Sequence, residues 1–369
     1  MFKNKILTIL LIIPGSLFLM SWGWQGHQKI SGNAPLSYTA QMNQFHEWTQ
    51  ILVAFSTEAD DRKQFDPDES PKHYIDIDFY DSFNSTGRIP QRLDSLIFEN
   101  GYFTVYDMGI LPFAIETTFD SLTACFIRGD WEKAVLVAAD LGHYVADGHM
   151  PLHITENYNG QMSGNTGIHS RFESTMINNN IESIVYEGWE VEFIPNVNQY
   201  IFDFIYTNHY YKDSILAADN YAKGIAGSTN SSAYKQALWE KSKDFTILLF
   251  KNASHALAEM IYTSWVLAGS PAMPSQGIDE NALSFSLEPV FPNPVSTVAT
   301  ISFSSDLNQY LELYVTNLNG VIVDDIFSGR VTPGNQKITW NPECISPGSY
   351  YLILTDRKRA LNHKMILLN

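Results

Sequence analysis

Cysteine is almost missing from this chain: Cys125 and Cys344 are the only two in 369 residues. A disulfide framework is therefore excluded as the basis of the fold, and so is a zinc site built on cysteine thiolates. Any metal must be held by His, Asp, Glu or backbone atoms. Positive charge is scarce as well, with 23 Lys and Arg against 40 Asp and Glu, a formal charge of −17 and a pI near 4.9. That balance disfavours a protein that grips long polyanions through a basic face, so no stable nucleic-acid complex is expected; a small anionic group held by metal ions remains compatible with it. Internal repeats and low-complexity tracts are absent too, and the mature chain is expected to have no transmembrane span.

What is present is apolar and aromatic: 45% and 13% of residues, enough for one large core and a smaller second one. The first 21 residues, "MFKNKILTILLIIPGSLFLMS", place Lys3 and Lys5 before an apolar run, which reads as a secretory signal peptide. At about 15 residues the run is short for a membrane span. Ser21 supplies a small residue at the cleavage position, although Leu19 departs from the small-x-small pattern. Loss of residues 1–21 removes the two lysines, taking the formal charge from −17 to −19, and makes Trp22 the amino terminus.

From about 36 to 267 apolar residues recur at three- and four-residue spacing, as in "SLTACFIRGDWEKAVLVAADLGHYVADGH" and "FTILLFKNASHALAEMIYTSWVLA". No alternation of strand and helix patterns interrupts them, so the expected fold of 22–268 is all-α. Residues 269–284 bring prolines without helical period and read as a linker. Short runs of alternating apolar residues follow, with Leu311, Leu313 and Val315 opposite Tyr310, Glu312 and Tyr314, and Asn319-Gly320 as a hairpin-type turn. These predict a small all-β sandwich over 285–369. "PNPVST", "ELYVTNLNGVIV", "SPGSYYLILT" and the terminal "KMILLN" together resemble the C-terminal sorting domain of the type IX secretion system. That resemblance implies the type IX machinery as a partner and export through the periplasm and outer membrane to the cell surface or medium.

The densest histidine cluster is "LGHYVADGHMPLH". His143 and Asp147 are four apart on a helical run and share a face. Pro151 stops that helix, and His153 follows the turn. "GNTGIHSRFEST" repeats the spacing with His169 and Glu173, while "TEADDRK" offers Asp60 or its neighbour Asp61 and "PKHYIDID" offers His73. A single pair of this kind is compatible with a helical hydrogen bond; the combination is hard to obtain from packing and suits a metal with nitrogen and oxygen ligands. At the mature terminus, "WGWQGH" adds a free α-amine, which titrates near pH 8 and forms a five-membered chelate with the Trp22 carbonyl; His27 completes the grip.

Taken together, "WGWQGH", the Ala-Asp of "TEADDR", "HYIDID", "HYVADGHMPLH" and "GIHSRFE" resemble the superfamily of bacterial zinc-dependent phospholipases C and fungal single-strand-specific nucleases. The resemblance implies three zinc ions: one on Asp60, His73, His143 and Asp147; a second on His153, His169 and Glu173; a third on the Trp22 amine and carbonyl, His27 and the other oxygen of Asp147. It implies hydrolysis of a phosphodiester by metal-activated water, with Asp60 as the catalytic residue that accepts or orients the proton. Glu173 where the nucleases carry Asp, the short interval from His153 to His169, and Glu58 where nucleases carry Trp favour the phospholipase C branch over a nuclease or nucleotidase. A remoter alternative is a non-catalytic, zinc-stabilised surface binding module. His149 receives no metal role, and His46, His209, His255 and His363 read as structural.

Overall fold

The computed structural model describes residues 23–274, 284–317, 320–342, 345–356 and 360–368. The expected signal peptide, Trp22, Asn319 and Cys344 lie outside the described residues. The chain divides into two compact units, Met1–Met273 and Pro274–Asn369.

The first unit is helical, and three helices position its centre. The helix Trp131–Asp147 starts at Asp130, whose carboxylate accepts the Lys133 N–H at 3.3 Å, satisfying one of the free donors of the first turn. Its apolar stripe of Ala134, Val135, Ala138, Ala139 and Leu141 is buried, and its last turn, from Gly142 to Asp147, is buried on every side. The preceding helix Leu111–Arg128 carries Pro112 in its first turn and ends at Gly129, so the run "SLTACFIRGDWEKAVLVAADLGHYVADGH" spans two helices. The longest helix, Ser232–Leu267, is capped by Ser231 and runs 36 residues, about 54 Å at the usual rise. Apolar side chains from these helices join Phe45, Trp48, Phe126 and Trp265 in one core, where Trp48 and Phe126 stack with centroids 5.8 Å apart.

A close approach brings the helix Gly23–Asn33 into this arrangement. A Cβ on Gly142 would stand 2.9 Å from Leu257 Cδ2 and 3.2 Å from Ser31 Oγ. A residue without a side chain leaves room there for the side chains of Leu257 and Ser31, one position before His143. Among the described residues no helix is long and apolar enough to cross a membrane.

The second unit is a sandwich of two antiparallel sheets. Its strands are β1 (Phe285–Leu287), β2 (Ala299–Ser305), β3 (Gln309–Thr316), β4 (Ile322–Val331), β5 (Gly334–Trp340), β6 (Gly348–Thr355) and β7 (Ala360–Leu367), ordered β1-β2-β5 and β4-β3-β6-β7. In β2 and β6 alternate residues are buried, so Ile301, Phe303, Leu352 and Leu354 enter a core with Leu311, Leu313 and Met365. The expected β3–β4 hairpin is present, closed by the Val321 N–H donating to Asn317 Oδ1 at 3.0 Å. The expected linker differs at its start. Trp265 Nε1–H donates to the Pro271 carbonyl at 2.8 Å and Met273 N–H to Gln44 Oε1 at 2.7 Å, which ties 269–273 to the helical unit.

Gly109 holds the segment that carries His73. Its φ is +85°, and a Cβ there would lie 2.1 Å from the Tyr74 carbonyl oxygen. We predict that Gly109→Ala costs on the order of 3 kcal/mol, from left-handed strain plus overpacking. Gly87→Ala, at φ +74° with nothing within 4 Å, should cost only about 1 kcal/mol. Denaturant unfolding of both variants checks this, and equal losses would contradict the role of the Tyr74 contact.

Candidate metal centre

The last turn of the helix Trp131–Asp147 presents His143 and Asp147 on one face, both with no solvent exposure. His143 Nδ1–H donates to the Ser56 carbonyl at 2.7 Å, which turns Nε2 inward, 3.4 Å from Asp147 Oδ2 and in hydrogen-bond contact with His73 Nδ1 at 3.0 Å. After Asp147 the helix ends, and the turn Pro151–His153 brings His153 back. Its Nδ1–H donates to the His73 carbonyl at 2.7 Å while the Ile75 N–H donates to the His153 carbonyl at 2.8 Å. That reciprocal pair locks the His73 segment against the turn. His169 Nδ1–H donates to the Tyr158 carbonyl at 3.1 Å, and Nε2 stands 2.5 Å from Glu173 Oε2.

Three imidazoles thus spend their Nδ1 protons outward on backbone carbonyls and turn Nε2 inward, the arrangement that fixes tautomer and orientation in metal-binding histidines. His73 is the reverse: Nδ1 faces Asp147 Oδ2 at 3.1 Å and Asp60 Oδ1 at 3.5 Å. Asp60 is the aspartate that turns inward, whereas Asp61 is exposed. The ring of His27 stacks on that of His143, centroids 4.0 Å apart and planes within 6°, with Nε2 3.6 Å from Asp147 Oδ1. Three groups result whose ligand atoms lie within 4.8 Å of one another: His27, Asp60 and His143; His73, His143 and Asp147; His153, His169 and Glu173. Trp22 lies outside the described residues; its neighbour Gly23 is buried and donates its N–H to Glu173 Oε1 at 3.3 Å.

Electrostatics and unmet polar atoms test whether a cation fits. Nε2 of His153, Nε2 of His169, Oε2 of Glu173 and Oδ1 of Asp147 are buried and make no hydrogen bond. Each such atom costs about 1–3 kcal/mol if left unsatisfied. Two lone pairs facing each other, as between His169 and Glu173, repel unless a proton or a cation lies between them. Burial would raise the Asp147 carboxyl, but His143, His153 and His73 hold it well below the usual range. Burial likewise opposes ionisation of Glu173, and His169 and His153 overcome it. The set is nitrogen and carboxylate oxygen without sulfur, which suits zinc.

Glu69 was not legible as part of this centre. It is 1% exposed, Oε1 lies 3.5 Å from His73 Nε2, and it is held by Tyr144 OH, by Lys72 Nζ at 2.8 Å and by Arg62 at 3.4 Å. A buried carboxylate thus stands behind the outward nitrogen of His73, which makes no hydrogen bond of its own. The spacing to His73 is again four residues, but a lone Glu among charged neighbours gives no sign of burial. His149, inside the densest motif, turns away: its Nδ1–H donates to the Val145 carbonyl at 2.8 Å and its ring stacks on Phe204. Burial pushes its imidazole down to about 4. His209 pairs with Asp78 and His255 with Glu259, while His46 is exposed and His363 lies in β7. None of these four enters the cluster.

No curated protein matches the chain in sequence. Among solved structures, the alpha toxin from Clostridium absonum is similar at 11% identity and a TM-score of 0.41, covering 96% of this chain and 98% of the toxin. The Clostridium perfringens alpha-toxin from avian strain SWCP is similar at 11% identity and a TM-score of 0.43, covering 95% of this chain and 99% of that one. Residues 289–368 match the family described as the secretion system C-terminal sorting domain. The C-terminal sandwich is thus the sorting tail expected from its motifs, and it marks the chain for secretion or display at the cell surface.

Proposed function

We propose that this chain is a secreted zinc-dependent phosphodiesterase, of phospholipase C type. The observation that carries the reading is the inward-turned set of Nε2 and carboxylate atoms around Asp147 and Glu173, of which His153 Nε2, His169 Nε2, Asp147 Oδ1 and Glu173 Oε2 make no hydrogen bond, with the Nδ1 protons spent outward on backbone carbonyls. His73, His143, Asp147 and Asp60 would hold one ion; His153, His169 and Glu173 a second; His27, Asp147 Oδ1 and the backbone of Trp22 a third. Bound zinc would neutralise phosphoryl oxygens, lower the pKa of water towards about 7 and stabilise the departing oxygen.

The remaining work falls to residues of the chain. Asp147 and Glu173 have side chains with 0% exposure, whereas that of Asp60 is 16% exposed, so Asp60 is the carboxylate of the set that meets solvent. Burial opposes its ionisation, but His143, Lys63 and His27 hold the carboxyl below its usual range. It therefore stays ionised and can accept or orient the proton of an attacking water. Glu69 stands behind the outward nitrogen of His73. The phospholipase branch is favoured over a nuclease by Glu173 and by the short interval between His153 and His169.

Purified mature protein should contain zinc, hydrolyse phosphatidylcholine to a diacylglycerol, leave single-stranded RNA intact, and lose activity on chelation with recovery on added zinc. Cleavage of RNA alone would reassign the same centre to a nuclease; inertness of fully zinc-loaded protein toward both substrates would overturn the enzymatic reading. Two substitutions separate the roles. Asp60→Asn should lower kcat by about 10²–10⁴-fold, not restored by excess zinc. Glu69→Gln should weaken zinc binding about 10–100-fold, with activity restored as zinc is raised. Zinc titration followed by steady-state kinetics distinguishes them, and identical behaviour of the two variants would contradict the division of labour.

A further inference from the structure

A cavity of about 290 Å³ is lined by none of the eight candidate ligands among the described residues. Its walls include the rings of His149, Trp189, Tyr200 and Phe204, with Asp203 as its one acidic residue. No Lys or Arg contributes to it. An anion would find no countercharge here, and a phosphate belongs at the metals.

The walls are held in place by groups behind them. His149, 2% exposed, stacks on Phe204 with centroids 4.6 Å apart. Trp189 is 46% exposed, yet its indole stacks on His255 at 4.2 Å, and His255 Nε2 is 3.1 Å from Glu259 Oε1. Tyr200 OH donates to the other oxygen of Glu259 at 2.7 Å. Both aromatic supports therefore converge on one carboxylate. Asn208 Nδ2–H donates to the Gly148 carbonyl at 3.0 Å and fastens the floor to the turn after Asp147. Rings fixed in this way lose little freedom when a ligand enters.

We propose that this pocket binds a small organic cation, a methylated or protonated ammonium, between the aromatic faces and the Asp203 carboxylate. Ring faces attract such cations through their quadrupole, and one carboxylate at the rim adds direction. Nothing in this pocket depends on what the metal centre hydrolyses, so the two readings fail separately.

Calorimetric titration of the full-length, zinc-loaded protein with tetramethylammonium and with choline tests it, with 3,3-dimethyl-1-butanol as the uncharged isostere of choline. Both cations should bind, the isostere at least about tenfold more weakly, and Trp189→Ala and Asp203→Asn should each weaken the cations about tenfold with zinc content unchanged. Equal binding of the isostere would overturn the proposal, as would absence of binding or binding untouched by both variants. If Trp189→Ala fails to fold, Asp203→Asn, at an exposed position, decides alone. Retention on phosphatidylcholine vesicles that tetramethylammonium displaces identifies a lipid head group as the source of the cation. Cation binding without such retention identifies a free solute, and either supports the site.

Discussion

The helical unit depends on where a few imidazole protons go. His143, His153 and His169 each give the Nδ1 proton to a carbonyl, of Ser56, His73 and Tyr158, so the lone pairs that remain face one another and the carboxylates of Asp147 and Glu173. Those carbonyls belong to three different segments, and every one of the bonds is long-range or spans a loop. The arrangement leaves buried polar atoms unmet: Asp147 Oδ1, Glu173 Oε2 and the Nε2 atoms of His153 and His169 make no hydrogen bond, and each such atom costs about 1–3 kcal/mol. A divalent cation turns the same geometry into attraction. Binding of a cation at the proposed centre and closure of the Ser56, His73 and Tyr158 segments would therefore be one equilibrium.

Local charge, not the chain total, governs what such a centre attracts. A formal charge of −17 would repel a phosphodiester at long range, but the interaction falls off over a Debye length of about 8 Å in physiological salt. Within the cluster the sign would be set by the ions proposed for it. The scarcity of Lys and Arg then has a use in the other pocket, where an absence of cationic side chains leaves Asp203 and the ring faces uncontested.

Much of this centre was legible because helical spacing is rigid. His143 with Asp147 and His169 with Glu173 follow from four-residue intervals, and Pro151 announces the turn that returns His153. What spacing does not settle is set by irregular backbone. Asp60 and Asp61 differ only in which way one short helix, Glu58–Arg62, is rolled. Glu69 looks like a surface acid until Tyr144, Lys72 and Arg62 are seen to enclose it. His149 belongs to the motif by sequence but follows the end of the helix, where the turn carries it to Phe204. In the sandwich, alternation revealed the longer strands, whereas β1, three residues long, offers too little pattern to read. The linker was misjudged at its start because single hydrogen bonds from Trp265 and Gln44 leave no periodic trace.

His27 shows how packing far from any ligand bond sets the chemistry. Its helix, Gly23–Asn33, reaches the cluster only because Gly142 lets Ser31 and Leu257 close on the helix Trp131–Asp147. The stacked rings of His27 and His143 are the consequence of that contact one residue later. A methyl group at position 142 meets Leu257 and Ser31 below ordinary contact distance, and cores answer such crowding by shifting backbones. The shift would carry His27 and the chain before it away from Asp147. Residue 142 binds nothing, yet it lies where the first helix approaches the helix that carries Asp147.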